Sequence, residues 1–239
     1  MVGRNPAVPR RTVRVAGRAV QTTVTARPAV ARRWLHSTLW REGRALRSAA
    51  GLTVGLGVQW TPPFRKLPVG AEPRPGTLQL CAGNRCLVFQ LVRAGAVPRI
   101  LLRFLADPRV TFAAYNAGSD RRKLRAHHGL EVGSALELRG SAGMGNTSLT
   151  DMAQRLLGIR GVEKSTKVAT SDWDGERLSR KQVWYASVDA YLSCRLGVYL
   201  RRRVMARQES EPGYSDDDAE SMSSEASSEP EYGRGDWAR

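Results

Sequence analysis

This sequence is poor in cysteine, poor in lysine and, over its first half, almost without acid. Three cysteines in 239 residues exclude a dense disulfide framework and suit a reducing compartment. Cys81 and Cys86 flank a candidate turn at Gly83-Asn84 and could face each other. A closed zinc site takes about four ligands, so both are read as plain strand residues. No apolar run approaches the roughly 20 residues of a membrane helix, which excludes a helical span and gives no membrane partner. Only five of the 38 basic residues are lysine. Such an arginine excess can come from GC-rich coding drift as well as from selection for anion binding. Acids are confined to Glu42, Glu72 and Asp107 in the first 119 residues.

The charge that remains is strongly divided. Residues 1–205 hold 35 Lys+Arg against 12 Asp+Glu, a net of +23, while residues 206–239 hold 3 against 10, a net of −7. A body this basic attracts polyanions, nucleic acid first. The length suits one substantial domain with a full core.

Composition and pattern divide the chain into a flexible basic N-terminus (1–11), a folded domain (12–205) and a disordered acidic, Ser-rich tail (206–239). Residues 1–41 are Arg-rich and acid-free, like an organelle presequence. Their pattern is nevertheless a hairpin and a helix. Val13 and Val15 alternate with Arg14, Ala16-Gly17-Arg18 turns, and Val20, Thr22 and Val24 alternate again. Pro28 then opens a helix with Val30, Ala31, Trp34, Leu35, Thr38 and Leu39 on one face. The expected location is therefore the nucleus or cytoplasm, with organelle targeting the lesser alternative. In the tail, Ser215 and Ser228 each stand three residues before an acid and suit an acid-directed kinase.

Within the domain, residues 52–60 read as a buried strand and 77–91 as a strand pair. Val97, Ile100, Leu101, Phe104 and Leu105 make a helical stripe, and 110–115 is a short strand. A helix over 119–127 ends at Gly129, and Leu136-Glu137-Leu138 leads out of it as a strand or turn. Leu149 to Leu157 repeats the helical stripe. The last helix starts at Ser179 with Gln182 three residues on, a capping box, and runs to about Met205. Strands first, then helices interleaved with strands, give an α/β domain with a mixed sheet.

Two acids stand out. Asp189 lies four residues after Tyr185, on the same face of the last helix. Among Ala186, Val188, Ala190 and Leu192 it is costly unless paired, for instance with a metal; the alternative is a surface Asp on a charged helix. Asp120 sits in a first helical turn, where the dipole alone favours an acid.

The segment Ser171–Tyr191, with Ser171-Asp172-Trp173, Leu178, Gln182 and Tyr185-Ala186-Ser187-Val188-Asp189-Ala190, resembles the third motif of the DEDDy 3′–5′ exonucleases, the RNase D-like and Werner-syndrome-type enzymes. Tyr115-Asn116-Ala117-Gly118-Ser119-Asp120 followed by Lys123-Leu124 resembles the second motif. Leu78-Gln79-Leu80-Cys81 resembles a strand of that fold, and the first sixty residues resemble the plant branch. The resemblance covers about residues 12–203 and implies a ribonuclease H-like fold, a central mixed sheet flanked by helices.

In that family four acids hold two Mg²⁺ or Mn²⁺ ions, because divalent ions stabilise the charge that develops on both the attacking and leaving oxygens of a phosphodiester. The resemblance implies that Asp120 and Asp189 are metal ligands and that Tyr185 orients water. The first motif should carry Asp and Glu two apart; here Gly55-Leu56-Gly57-Val58-Gln59-Trp60 places Gly57 and Gln59 there. No acid lies between Glu42 and Glu72, so a register slip cannot supply one. Two of four anionic ligands remain, and metal binding is expected to be weak or absent.

The remaining candidates are basic. Arg121, Arg122, Lys123 and Arg125 crowd beside the site and either grip phosphates or form a solvated helix face. His127-His128 ends a helix, where a cation is favourable. Gly55-Leu56-Gly57 lacks the third glycine of a dinucleotide loop, and Gly143-Met144-Gly145 lacks the lysine of a phosphate loop. The expected protein binds DNA or RNA and is impaired or inactive in hydrolysis. The alternatives are an active metal-dependent exonuclease using Asp120, Tyr185 and Asp189, or a protein-interaction module on a nuclease fold. No feature of the sequence specifies an oligomeric state.

Overall fold

A computed structural model describes residues 10–63, 65 and 67–210. The chain opens with a hairpin, β1 (Arg10–Val15) and β2 (Arg18–Thr25), whose turn puts Ala16 and Gly17 at positive φ. Then come α1 (Pro28–Arg41), α2 (Gly43–Arg47), β3 (Leu52–Gln59), β4 (Thr77–Ala82) and β5 (Arg85–Gln90). The second half contains α3 (Arg99–Ala106), β6 (Val110–Ala114), α4 (Ala117–His128), β7 (Ser134–Glu137) and α5 (Leu138–Ala142). It closes with α6 (Leu149–Leu157), α7 (Thr166–Ala169) and α8 (Arg180–Ser210).

The strands form one mixed sheet in the order β1-β2-β5-β4-β3-β6-β7. Strands β3, β6 and β7 run parallel, as do β2 and β5; the remaining neighbours are antiparallel. The expected α/β architecture with a mixed sheet between helices is therefore present. Strand β3 lies between β4 and β6 and is buried on both faces. Its Leu52, Val54, Leu56 and Val58 join the core beneath α1, α3 and α4, with Trp34, Leu35, Phe104 and Leu124. The opposite core contains Leu149 and Met152 of α6, Trp173, and Val183, Ala186, Val188 and Leu192 of α8. Side chains alternate along a strand, so Gly55, Gly57 and Gln59 face α8.

Gly55 is dictated by this packing. A Cβ at that position would lie 1.8 Å from the carbonyl oxygen of Ala190. Glycine lets the backbones of β3 and α8 meet almost directly, which sets the depth at which α8 presents Asp189 to the sheet.

Three expectations need correction. Cys81 and Cys86 are register partners across the β4–β5 hairpin, with Cα atoms 4.1 Å apart, and their sulfurs are joined as a disulfide rather than left as plain strand thiols. Arg10 and Arg11 belong to β1 rather than to a loose N-terminus, because they pair with Thr23 and Thr22. At the other end α8 continues to Ser210, five residues past the expected stop at Met205. The kinase candidates Ser215 and Ser228 lie outside the described residues.

Candidate functional site

Three local structures bring the expected residues together. The first is the end of β3, where the chain leaves the sheet at Gln59. The second is the start of α4, which follows β6 through Asn116 and carries Asp120 in its first turn. The third is α8, whose capping box is formed: Ser179 N donates to Gln182 Oε1 (2.9 Å) and Gln182 N donates to Ser179 Oγ (3.2 Å).

The loop before α8 is fastened to the strand end. Thr61 Oγ1 accepts from the backbone N–H groups of Trp173 (2.9 Å) and Asp174 (3.2 Å). Gln182 Nε2 donates to Asp172 O (2.6 Å) and Ser171 Oγ (3.0 Å). Trp173 is fully buried, donates its indole N–H to Ala169 O, and packs its ring 6.1 Å from that of Tyr185. Thus Ser171, Trp173 and Gln182 hold the start of α8 and the Tyr185 face in place.

Asp189 is buried, and its carboxylate is already occupied. Gln59 Nε2 donates to Oδ2 at 3.0 Å, and the Lys164 ammonium pairs with Oδ1. Lys164 also lies 4.2 Å from the centroid of the Tyr185 ring, a cation–π contact. Burial raises the Asp189 carboxyl above its usual range, while Lys164 and Gln59 pull against it. Burial draws the Lys164 ammonium down, but the charges of Asp189 and Tyr185 outweigh it, so its pKa is raised. Tyr185 is raised too, by burial first and by the Asp189 charge second.

Gly57 faces the same spot. A Cβ there would lie 3.9 Å from Asp189 Cβ and 3.0 Å from Gln79 Oε1. Gln79 is the β4 partner of Gly57; it is fully buried and its amide donates to Thr77 Oγ1 at 2.5 Å. Its Oε1 has no hydrogen-bond partner among the described residues. The Gln79 amide therefore lies against the position from which a first-motif carboxylate would project.

Asp120 is buried, and its pKa is raised to about 8. Desolvation is the main cause. Lys123 opposes it, and the charges of Asp189 and Glu137 add to it. Glu137, at the end of β7, accepts the Ala117 N–H at 2.7 Å and so steadies the start of α4.

The geometry tests the metal implied by the resemblance. A two-ion site needs several free carboxylates around one gap. Here Asp189 is neutralised by Lys164, Gly57 offers no ligand, Gln59 turns its N–H rather than its oxygen to the carboxylate, and Glu137 is committed to a helix start. Among the described residues, no group of three His, Cys, Asp or Glu is arranged to hold a metal. The residues present do not fit a pair of divalent ions.

The structure separates the basic candidates. Lys123 is buried, ion-paired with Glu72 at 3.2 Å and 4.5 Å from the centroid of Trp60. Buried in this way it is withdrawn from the phosphate-gripping role expected of it. Arg122 pairs with Glu72 (2.7 Å), the acid it shares with Lys123, and Arg125 pairs with Glu131 (2.9 Å), so two acids answer three cations. Arg121 alone of the four is exposed with no ion pair among the described residues. The two histidines serve as ties: His127 Nε2 lies 2.7 Å from Glu72 O and His128 Nε2 lies 3.1 Å from Pro75 O. Lys164 was not singled out from the sequence. Gln79 appeared there only within the strand motif Leu78–Cys81, and Glu137 only between two leucines at a strand end.

Comparison with known proteins gives the family and the fold. A family model described as 3′-5′ exonuclease matches residues 68–205. The chain belongs to the 3′-5′ exonuclease family. The matched span begins after β3, so it contains the segments of Asp120, Tyr185 and Asp189 but not the strand of Gly57 and Gln59. A 3′-5′ exonuclease of Arabidopsis thaliana is 28% identical over 166 residues, which is 65% of this chain and 55% of that protein. The mouse exonuclease 3′-5′ domain-containing protein 2 is 35% identical over 111 residues, 44% of this chain and 17% of that one. The chain thus spans about half or less of the length of these relatives. Among solved structures, Escherichia coli RNase D superposes with a TM-score of 0.58 at 16% identity, covering 80% of this chain and 51% of that one. The catalytic core of RRP6 from Trypanosoma brucei gives 0.61 at 12% identity, covering 78% and 48%. These matches show the fold, the ribonuclease H-like sheet of this exonuclease family.

Proposed function

We propose that this exonuclease-family domain binds nucleic acid and has lost, or nearly lost, two-metal hydrolysis of the phosphodiester. The observation that carries this reading is the state of Asp189. Its carboxylate is held by the ammonium of Lys164 and the amide of Gln59, and the facing position is Gly57. A tethered ammonium supplies one positive charge to the carboxylate. It cannot polarise a water toward hydroxide or bridge attacking and leaving oxygens as paired divalent ions do. Neutralisation of Asp189 also removes much of the repulsion that an empty carboxylate cluster would exert on a phosphate. The domain can then accept a polyanion in the cleft without first loading metal, and the basic body favours that encounter.

Restoration tests the reading. Purified parent protein with a 3′-labelled oligonucleotide and Mg²⁺ or Mn²⁺ is expected to release no nucleotides. The variant Gly57→Asp/Gln59→Glu/Lys164→Ala is expected to gain metal-dependent 3′–5′ release, since it returns two carboxylates and frees a third. Robust release by the parent, abolished by chelator and by Asp189→Asn, overturns the reading.

A further inference from the structure

We infer that a single strand of nucleic acid lies in a basic groove around the first turn of α8, running from Tyr185 past Trp184 to the N-terminal hairpin. The inference rests on the nucleic-acid reading above and gives it a surface. Two concavities meet there. One, of about 810 Å³, is walled by α7, the 171–182 segment and Tyr185; the other, of about 500 Å³, is walled by β1 and the start of α8. Arg180 and Trp184 line both. Six exposed cations surround the pair: Arg11, Arg14, Lys167, Arg177, Arg180 and Lys181. None of the six is in an ion pair among the described residues.

Four further features favour a strand of phosphates here over the α4 surface. On α4, Arg122, Lys123 and Arg125 are ion-paired with Glu72 and Glu131, which leaves Arg121 as the one unpaired cation of those four among the described residues. The groove wall holds two exposed acids, Asp172 and Glu163, against its six exposed cations, so its net charge stays positive. Arg180 and Lys181 occupy the first turn of α8, which carries no acid. Cations at a helix N-terminus oppose the dipole, so their placement weakens the helix unless an anion arrives to use both charges and dipole. Trp184 adds an aromatic wall. Its Nε1 is fixed to Arg14 O at 3.1 Å, and it is half-buried. A held indole is a stacking surface for an unpaired base, which a duplex does not present.

The test uses the full chain and labelled poly(U) and poly(dT) oligonucleotides, with affinity read by fluorescence anisotropy over a series of salt concentrations. Arg14→Glu/Arg177→Glu/Arg180→Glu is expected to lower affinity for both polymers by at least about tenfold. It should also flatten the salt dependence by roughly one unit of log–log slope for each phosphate that is no longer neutralised. Arg122→Glu/Arg125→Glu, which alters the two exposed α4 cations held in ion pairs, is expected to change affinity by less than about threefold. The neutral set Arg14→Gln/Arg177→Gln/Arg180→Gln should fall between parent and reversal, and serves if the reversal fails to fold. Parent binding that weakens equally in both sets of variants, or only in the α4 set, overturns the groove and leaves the nucleic-acid reading standing. No binding of either polymer by the parent at low salt overturns that reading itself. Tighter binding of duplex than of single strand, abolished in the same groove variants, overturns the single-strand assignment.

Discussion

Asp120 concentrates the electrostatics of the cleft in one side chain. Its ordinary value of 3.8 is raised to about 8, mainly by desolvation, with Asp189 and Glu137 adding and Lys123 opposing. In the folded protein the carboxyl keeps its proton well above the pH at which the unfolded chain gives it up. Between about pH 4 and pH 8 the folded state therefore binds more protons, and stability must fall as pH rises through that window. Below it both states are protonated and the penalty is absent. Asp120→Asn removes the titration while keeping the shape. Urea unfolding of this variant should show a flatter stability profile from pH 4 to pH 8. The variant should match the parent near pH 4 and be more stable near pH 8. A parallel fall in both proteins would mean that Asp120 ionises in the fold at its ordinary pH.

At the scale of elements, the contact between β3 and α8 governs the site, and two glycines of one strand play different parts in it. A methyl at Gly55 meets backbone, the Ala190 carbonyl oxygen at 1.8 Å and the Cys194 nitrogen at 2.5 Å, and can be admitted only by moving α8. A methyl at Gly57 meets the end of a side chain, Gln79 Oε1 at 3.0 Å, which can rotate away. Gly55→Ala should therefore cost about 3 kcal/mol, the upper end of overpacking, and Gly57→Ala under about 1 kcal/mol. Denaturation midpoints decide this, and equal destabilisation would show that the helix is not held against the strand as described. Much of the element pattern was legible. A buried strand was expected over 52–60, where β3 runs from Leu52 to Gln59, and the Ser179–Gln182 spacing marked the start of α8 to within a residue. The short α5 and α7, five and four residues, were not legible because too few apolar positions recur to reveal a period. Gln79 could be read as a strand residue, but its position against Gly57 exists only in the β3–β4 register.

Over the whole molecule, the legible part of the site was its anionic half. Lys164 contacts both Asp189 and Tyr185, and the charge of Asp189 reaches Asp120. The cation that answers Asp189 could not be foreseen, because Lys164 lies 25 residues away in a connecting segment without periodicity. Charge at this scale also couples groove and tail. Residues 211–239 contain nine acids and two bases, against a net of +23 over residues 1–205. Twenty-nine residues can span at most about 100 Å, whereas α8, with 31 residues, is on the order of 46 Å long. The acidic segment is thus long enough to reach from the end of α8 to the cations at its start. It would compete there with a nucleic-acid strand for Arg177, Arg180 and Lys181, and phosphates on Ser215 and Ser228 would add to its charge. A chain ending at Ser210 should bind single-stranded oligonucleotide several-fold more tightly than the full chain at low salt. The two should converge as salt screens the competition over a Debye length of about 8 Å at physiological strength. Identical affinities at low salt would show that the tail does not enter the groove, and a uniform gain at every salt concentration would point to a cause other than charge.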